Sequence, residues 1–306
     1  MRSSTRILII GFGDIGQRVA GRLVDRYSVS ALVRSAEHAR VARSLGVRAI
    51  RGDLSLRGSL HKLAGMADVV FHFAPPPGDG LRDTHTRHLL AAFARRATRK
   101  SMRAAMLSQG LPRRLVYIST TGVYGDCRGA LIDETRPPKP ATVRARRRLD
   151  AERTLRTWGA RAGATVSILR APGIYAADRL PLERLRKGTV ALVAEDDVFT
   201  NHIHAEDLTR AALAAMRNGK PGRVYNVVDD SALLMGDYFD RVADVFSLPH
   251  PPRVSSAQAA ARLSPTSLSF MSESRKIDNK RLKLELRFSL CYPTVEDFLR
   301  DVKRGG

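Results

Sequence analysis

The sequence predicts an α/β fold, in which a doubly wound parallel sheet carries a smaller C-terminal lobe. Three features support this prediction. Short apolar runs alternate with amphipathic stretches, the runs are apolar at nearly every position, and a glycine-rich turn follows the first run. Runs without polar alternation are typical of strands that helices cover on both faces. Alternating strands and helices imply right-handed crossovers and therefore a parallel sheet.

The predicted elements follow in order along the chain. The strands are Arg6–Ile10, Val29–Val33, Val47–Ile50, Val69–Phe73, Leu115–Ser119, Thr165–Leu169 and Arg223–Val228. Helical spacing is shown by the sets Ile15, Val19, Leu23; Leu89, Phe93, Ala97; and Ala151, Leu155, Trp158. We expect residues 1–174 to form a Rossmann-type domain, which helix 205–217 and strand 223–228 rejoin. Residues 175–204 and 229–306 should form the smaller, substrate-binding lobe, in which the stretch Pro249–Ser274 reads as a loop.

Length and composition indicate a globular protein without a membrane span. The chain has 306 residues, of which 43% are hydrophobic, enough for one large domain or two unequal ones. No apolar run approaches the roughly 20 residues that span a bilayer. The two cysteines, Cys127 and Cys291, lack the spacing of metal ligands. We therefore expect a cytoplasmic protein with no membrane partner and no metal site.

The net charge of +22 is unusual, and it comes mainly from arginine, since only nine residues are lysine. Such a charge can indicate an anionic partner such as nucleic acid, or simply an arginine-rich solvated surface. The basic residues are spread along the chain, and neither zinc-finger spacing nor an aromatic RNA-binding strand accompanies them. We expect no sequence-specific nucleic-acid partner.

The glycine-rich turn predicts a dinucleotide site. It reads Gly11-Phe12-Gly13-Asp14-Ile15-Gly16, between a short buried strand and an amphipathic helix. In this pattern Gly11 permits the tight turn, Gly13 lets the backbone approach a pyrophosphate, and Gly16 lets helix and strand pack closely. The N-terminus of the helix then offers unpaired N–H groups to the phosphates. The alternative is a glycine-rich turn without a ligand.

The end of the second strand bears on the choice of cofactor. An acidic residue there would bind the ribose 2′-hydroxyl of NAD, but the sequence has Arg34 and Ser35. A guanidinium at this place could bind a 2′-phosphate, so we predict NADP, with NAD as the second possibility. The alternative is a surface arginine. Asp53-Leu54 is expected to flank the adenine, and Ala74-Pro75 to line the cofactor on its other side.

Several blocks then match one family in order. They are the glycine turn; Gly52-Asp53-Leu54; Ser119-Thr120-Thr121-Gly122-Val123-Tyr124-Gly125-Asp126; Glu134 with Pro137 to Pro140; Leu169-Arg170-Ala171-Pro172-Gly173-Ile174-Tyr175; Asn201-His202-Ile203-His204-Ala205-Glu206-Asp207-Leu208; and Val224-Tyr225-Asn226-Val227. The chain resembles the extended, NAD-dependent epimerase/dehydratase-like branch of the short-chain dehydrogenase/reductase superfamily. The resemblance implies an NAD(P)-binding oxidoreductase or epimerase-like protein with a small-molecule substrate, acting as a monomer or homodimer.

The family's catalytic Tyr-x-x-x-Lys pair has no counterpart in this sequence. Counting back from Glu152 puts Arg148 at the lysine position and Arg144 at the tyrosine position. No tyrosine occurs between Tyr124 and Tyr175. The resemblance therefore implies an atypical member, and the alternative is a non-catalytic NADP-binding redox sensor or scaffold.

The remaining candidates for catalysis are Thr120, Tyr124 and Arg148. By resemblance, Thr120 orients the substrate and Arg148 contacts the nicotinamide ribose, although a guanidinium cannot act as a base near neutral pH. Tyr124 is the preferred replacement acid, because nearby positive charges are expected to lower its pKa. The other candidate acids are Asp126, Glu134, Tyr175 and His204. Helical spacing puts Arg144 and Arg148 on one face, toward the cleft, which would suit an anionic substrate.

Overall fold

A computed structural model describes residues 4–94 and 110–305. The predicted helical position Ala97 lies outside these residues. The strands are β1 (Arg6–Ile10), β2 (Ser28–Val33), β3 (Arg48–Arg51), β4 (Val69–His72), β5 (Arg114–Thr120), β6 (Leu131–Ile132), β7 (Thr165–Ala171), β8 (Gly173–Tyr175), β9 (Ala191–Leu192), β10 (Phe199–Thr200), β11 (His202–His204), β12 (Arg223–Asn226), β13 (Leu233–Leu234), β14 (Arg253–Val254) and β15 (Lys276–Ile277).

Helices connect these strands. In chain order the described α-helices are α1 (Asp14–Gly21), α2 (Ala36–Ser44), α3 (Thr84–Phe93), α4 (Val143–Ala162), α5 (Leu182–Arg186), α6 (Ala205–Asn218), α7 (Met235–Val245), α8 (Ser256–Arg262), α9 (Pro265–Phe270), α10 (Lys280–Leu286) and α11 (Val295–Gly305). Short 3₁₀ helices cover Arg57–Leu63, Thr121–Tyr124 and Ala177–Arg179.

Seven strands form one parallel sheet in the order β12-β7-β5-β4-β1-β2-β3. The chain runs outward from β1 in one direction through β2 and β3, and then in the other direction from β4. The predicted doubly wound α/β fold is confirmed. In such a sheet the strand order reverses beside β1, and ligands bind in the crevice at the carboxyl ends of the strands on either side.

Both faces of the sheet are buried, which explains the apolar runs of the sequence. On β1, Ile7 and Ile9 belong to a core on one face, which also contains residues of α1 and α6. Leu8 and Ile10 belong to a second core on the opposite face, beneath α3 and α4. Successive side chains of a strand point to opposite faces, so a strand between two helical layers needs apolar residues at every position.

A third core lies apart from these two. It joins residues of α5, β9, α7 and α11 around Tyr175, Leu192, Val242 and Phe298. Helix α10 does not belong to it, since Leu282 and Leu286 pack into the core under α6 instead. The division into a Rossmann-type domain and a substrate-binding lobe stays a prediction, and the placement of α10 departs from the expected lobe range.

The stretch Pro249–Ser274 is more regular than the sequence suggested, because it contains β14, α8 and α9. Ser255 caps α8 in a capping box with Gln258. Ser264 caps α9, and Pro265 occupies its first turn. Serine at the cap and proline in the first turn are helix-starting signals, so the residues that suggested a loop here mark two short helices.

Candidate functional site

A cleft of about 700 Å³ lies at the carboxyl ends of β1 to β4, where the sheet order reverses. Nine of the predicted cofactor residues line it: Gly11, Phe12, Gly13, Arg34, Ser35, Asp53, Leu54, Ala74 and Pro75. Three polar residues of the same wall, which no sequence motif marked, are Glu37, His38 and His85. All three come from the start of a helix, so they reach the cleft only because α2 and α3 begin at its edge.

The glycines of the turn fit a dinucleotide. Gly11 has φ +91°, and a Cβ there would collide with the backbone of Phe73 and Ala74. A Cβ at Gly16 would lie 2.5 Å from the carbonyl oxygen of Gly11. A Cβ at Gly13 would meet nothing within 4 Å, which leaves space beside the first turn of α1. Gly13 also provides no side-chain cap, so the N–H groups of that turn can bind a phosphate.

Three residues of the turn do not line this cleft. The carboxylate of Asp14 pairs with Arg18 at 2.8 Å and with Arg179 at 3.1 Å. The side chain of Ile15 is buried in the core under α1. Gly16 serves close packing against Gly11, as described above. Their side chains therefore shape the turn, whereas their backbone N–H groups belong to the first turn of α1, and their contact with the cofactor stays a prediction.

The end of β2, where the sequence predicted the choice between NADP and NAD, carries charges of both signs. Arg34 is exposed and forms no ion pair with the described residues, whereas Ser35 caps α2, its Oγ accepting from the N–H of His38 at 3.1 Å. Glu37 lies in the first turn of the same helix. Across the cleft, hydrogen bonds from Ser55 hold the pKa of Asp53 below its usual value, so this carboxylate stays ionised.

A second cavity of about 580 Å³ begins where β5 ends. Thr120, the last residue of β5, lines it, and its Oγ1 accepts the N–H of Gly122 at 3.2 Å. Because that bond uses the hydroxyl oxygen as acceptor, the O–H is left to donate to a ligand. Thr120 thus lines the cavity with a hydroxyl that can donate, and its substrate-orienting role stays a prediction.

Both arginines of α4 reach this cavity, as their spacing predicted. Nη1 of Arg148 donates to the carbonyl of Ile118 at 2.8 Å, to the hydroxyl of Tyr117 at 3.1 Å and to the carbonyl of Ala74 at 3.4 Å. Its guanidinium lies 5.6 Å from the centre of the Tyr117 ring. Arg144 instead stacks at 4.7 Å on Phe270 of α9. Arg148 therefore connects the wall of the cofactor cleft at Ala74 with the second cavity.

Several residues that line the second cavity come from the C-terminal half and were not predicted from the sequence. Arg184 of α5 stacks on Phe239 at 4.7 Å and donates to the carbonyl of Val190. Arg275 donates to Glu273 at 2.8 Å. Beside them lie apolar residues of α7, α9 and β10, namely Met235, Phe239, Phe270, Met271 and Phe199. No local motif marks these residues, because they come from segments that are far apart in the sequence and meet only in the folded structure.

Tyr124 is not placed as an acid. It is fully buried, is absent from the lining of both cavities, and donates its hydroxyl proton to Oδ1 of Asn226 at 2.7 Å. Burial raises its pKa, and the guanidinium of Arg170, 4.6 Å from the ring centre, does not reverse this. The expectation of a lowered pKa is wrong because desolvation of the phenolate outweighs the nearby charge.

The other candidate acids also lie outside the second cavity. They are Asp126, Glu134, Tyr175 and His204. Glu134 accepts the N–H of Asn226 at 2.7 Å, and burial raises its pKa. His204 caps α6, its Nδ1 accepting from the N–H of Glu206 at 3.2 Å. Each of these two therefore holds a loop in place instead of facing a ligand.

A buried ion pair supports the strand end that carries Thr120. Glu152 of α4 accepts from Nη2 of Arg170 at 2.7 Å and from its Nε at 3.1 Å. Oγ of Ser119 donates to the same carboxylate at 2.5 Å. The two charged side chains are 2% and 4% exposed. The pair thus ties α4, β5 and β7 together directly behind the cavity.

The described residues contain neither a membrane-spanning helix nor a cluster of metal ligands. No helix there combines the length and the apolar character needed to cross a membrane. No group of three or more His, Cys, Asp or Glu side chains in residues 4–94 and 110–305 is placed to hold a metal ion.

Comparison with known proteins agrees with this geometry. Residues 7–228 match the NAD dependent epimerase/dehydratase family. The chain belongs to this family. The family resemblance that the sequence motifs indicated is therefore confirmed, and an oxidoreductase-like chemistry with a nicotinamide cofactor is supported at the level of the family.

Individual relatives are more distant. A 4-hydroxy-2-methyl-3-oxo-4-farnesyl-3,4-dihydroquinoline-1-oxide ketoreductase of Stigmatella aurantiaca is 30% identical over 72% of this chain, and the match spans 66% of that enzyme. A functionally unknown conserved protein from Silicibacter pomeroyi has a TM-score of 0.77 and 25% identity over 99% of both chains. UDP-glucuronic acid 4-epimerase from Bacillus cereus, in complex with UDP-glucuronic acid and NAD, has a TM-score of 0.73 at 19% identity, covering 98% of this chain and 99% of that one, and so shares the fold.

Proposed function

We propose that this chain is an NADP-preferring oxidoreductase of epimerase-like type, which moves a hydride between the nicotinamide and a small anionic substrate through a non-standard active site. The observation that carries the proposal is the position of Arg148, which bonds to Ala74 on the cofactor cleft and to Ile118 on the second cavity. Arg148 thus lies between the two cavities, where it can contact both a bound cofactor and a bound substrate. A bound nicotinamide supplies or takes up the hydride.

Thr120 and Arg148 bind the reacting oxygen of the substrate. The hydroxyl of Thr120 donates to that oxygen, because its own acceptor site is used by Gly122. The guanidinium of Arg148 stabilises the negative charge that develops there during reduction. In that direction the carbonyl carbon gains the hydride and the oxygen gains a proton, which we assign to water, because the described lining includes no tyrosine, lysine or histidine.

The charge of the second cavity supports an anionic substrate. Arg144 and Arg184 stack on aromatic rings and form no ion pair with the described residues, whereas Arg275 is paired with Glu273. Burial lowers the pKa of Arg184, which indicates a guanidinium that lacks a compensating charge. A carboxylate or phosphate of the substrate would supply it. Phenylalanine and methionine side chains on the same walls suit an apolar or ring-bearing portion beside that anion.

Cofactor preference follows from Arg34. Its exposed guanidinium can pair with a 2′-phosphate, while Glu37 nearby would favour the 2′-hydroxyl of NAD. We assign NADP because Arg34 directly follows β2, where proteins of this family contact the ribose, whereas Glu37 lies three residues further, in the first turn of α2. The ketoreductase among the relatives supports reduction as the direction.

The decisive experiment compares two threonine variants of the same cavity. Thr120→Val removes the proposed donor, whereas Thr200→Val makes the same change at another lining position. Consumption of NADPH is followed with a panel of aldehydes and ketones that carry a carboxylate or phosphate. We expect Thr120→Val to lower turnover about 10²–10³-fold, as for the loss of one oxyanion donor, with unchanged NADPH affinity. Equal turnover in wild type and Thr120→Val would contradict the assignment.

One observation favours a second candidate, a non-catalytic NADP-binding sensor or scaffold. The described residues that line the second cavity include no histidine, lysine, tyrosine or cysteine, and their single carboxylate, Glu273, is paired with Arg275. The same assay separates the two functions. Tight NADPH binding without consumption, across the whole panel, would favour the sensor.

A further inference from the structure

A third concavity, of about 620 Å³, lies outside both cavities described above and shares no lining residue with them. It is formed by the loop after the 3₁₀ helix Thr121–Tyr124 and by the start of α4. Its charged lining residues are Asp126, Arg128, Arg136, Lys139 and Arg146. Cys127, Pro140 and Ala141 complete the wall.

Four of the five charges in this concavity are positive. Within the part of the chain that the structure describes, none of the four cations forms an ion pair with an acid. The carboxylate of Asp126 is occupied otherwise, since Oδ1 accepts the N–H of Ser274 at 2.9 Å and of Arg128 at 3.0 Å. The concavity therefore has an excess of positive charge, which an anion would compensate.

Helix stability does not account for this arrangement. The first turn of α4 contains no acidic residue, although acidic residues are favourable there, and Arg144 and Arg146 occupy it instead. Cations at a helix N-terminus are unfavourable because that end of the helix is already positive. An anion bound in the concavity would offset the unfavourable charge of Arg146 and would interact favourably with the helix N-terminus.

Hydrogen bonds and close packing hold the backbone of the wall in place. The N–H groups of Cys127 and Gly129 both bind the carbonyl of Ser274, at 3.1 and 3.0 Å. Gly125, with φ +68°, lets the carbonyl of Lys139 approach so closely that any Cβ would collide with it. A rigid wall reduces the entropy that a ligand would lose on binding.

We propose that this basic concavity binds a compact anion that bears two or more phosphate groups. The four cations supply the charge, and the volume is within the range of small-molecule sites. The wall offers no aromatic ring on which a base or other ring could stack, so the affinity has to come from the phosphates. A small polyphosphate therefore fits this concavity better than a nucleic-acid strand does.

The test measures binding of inorganic tripolyphosphate to the full chain by calorimetry. Arg136→Ala with Lys139→Ala removes two exposed loop cations, and Arg153→Ala with Arg156→Ala removes two exposed arginines elsewhere on α4. We expect Arg136→Ala/Lys139→Ala to weaken binding of tripolyphosphate at least about tenfold, which the loss of one charge-assisted contact would already cause. Arg153→Ala/Arg156→Ala should have little effect. Added salt should weaken binding in the wild type. Unchanged melting temperatures control for folding.

Tripolyphosphate could also enter the cofactor cleft, so the Arg34→Ala variant is measured in parallel. Binding that is lost in Arg34→Ala and kept in Arg136→Ala/Lys139→Ala would overturn the proposal. So would equal binding in all variants, or no binding to the wild type. Tight binding of a duplex oligonucleotide at a salt concentration where tripolyphosphate does not bind would assign this surface to nucleic acid instead.

Discussion

The buried pair of Glu152 and Arg170 allows a quantitative prediction about stability. In Glu152→Gln the side chain keeps its shape and still accepts from Ser119, but it loses its charge. Arg170 is only 4% exposed, and among the described residues its ion pair is with Glu152. The variant therefore leaves the guanidinium buried without its acidic partner. Breaking a buried pair from one side costs about 3–5 kcal/mol, because it leaves an uncompensated charge in the interior. A typical domain has only about 5–15 kcal/mol of stability, so the loss should be large.

Urea unfolding, followed by circular dichroism, measures this loss directly. Glu183→Gln is the matched control, since Glu183 pairs with Lys187 on the surface, where both side chains are mostly exposed. That change should cost less than about 1 kcal/mol. The double variant Glu152→Gln/Arg170→Met removes both charges and should recover much of the stability. A loss below about 1 kcal/mol in Glu152→Gln, or a double variant as unstable as the single one, would refute the reasoning.

Two further predictions concern the cofactor and pH. Arg34→Ala should weaken NADP binding about tenfold or more and NAD binding little, whereas Arg40→Ala, at an exposed arginine of α2 outside the cleft lining, should change neither. Equal affinity of the wild type for both cofactors, measured by calorimetry, would contradict the assignment. Burial raises the pKa of Asp229 to about 8, so the folded state keeps a proton that the unfolded chain has lost above about pH 4. This stabilising contribution is full below pH 4 and falls as pH rises toward 8, by up to about 1.4 kcal/mol per unit. Asp229→Asn should therefore flatten the decline in unfolding free energy between pH 6.5 and 8. Parallel plots of unfolding free energy against pH for the wild type and the variant would show that Asp229 does not contribute to this decline.

Local patterns predicted the sheet and the cofactor turn. The strands at Arg6–Ile10 and Thr165–Leu169 were recognisable because burial on both faces requires continuous apolar character. The turn was recognisable because Gly11 and Gly16 leave no room for a side chain, a constraint visible in the sequence itself. Such features depend on neighbours within about one turn or one strand, so they can be read without a structure.

The second cavity could be predicted only in part. Thr120, Arg144 and Arg148 were found because a motif and a helical period mark them. Arg184 and Arg275 come from separate turns of the C-terminal half, and no period or motif connects them with the strand ends. The failure at Tyr124 has a different cause, because the sequence shows its charged neighbours but not its burial, and burial dominates the pKa.

The start of α4 shows how the arginine content of this chain is used. Arg144 and Arg148 are four residues apart, and like charges at that spacing disfavour a helix by about 0.2–0.5 kcal/mol, to which the unfavourable helix dipole adds. Each guanidinium is nevertheless held in place, Arg144 on the ring of Phe270 and Arg148 by three oxygen acceptors. Arg146, between them in sequence, faces the third concavity instead. The N-terminal part of α4 thus places positive charge in both the second cavity and the third concavity, although these charges destabilise the helix. A uniformly solvated basic surface would not require this arrangement, whereas anions bound at both sites would explain it.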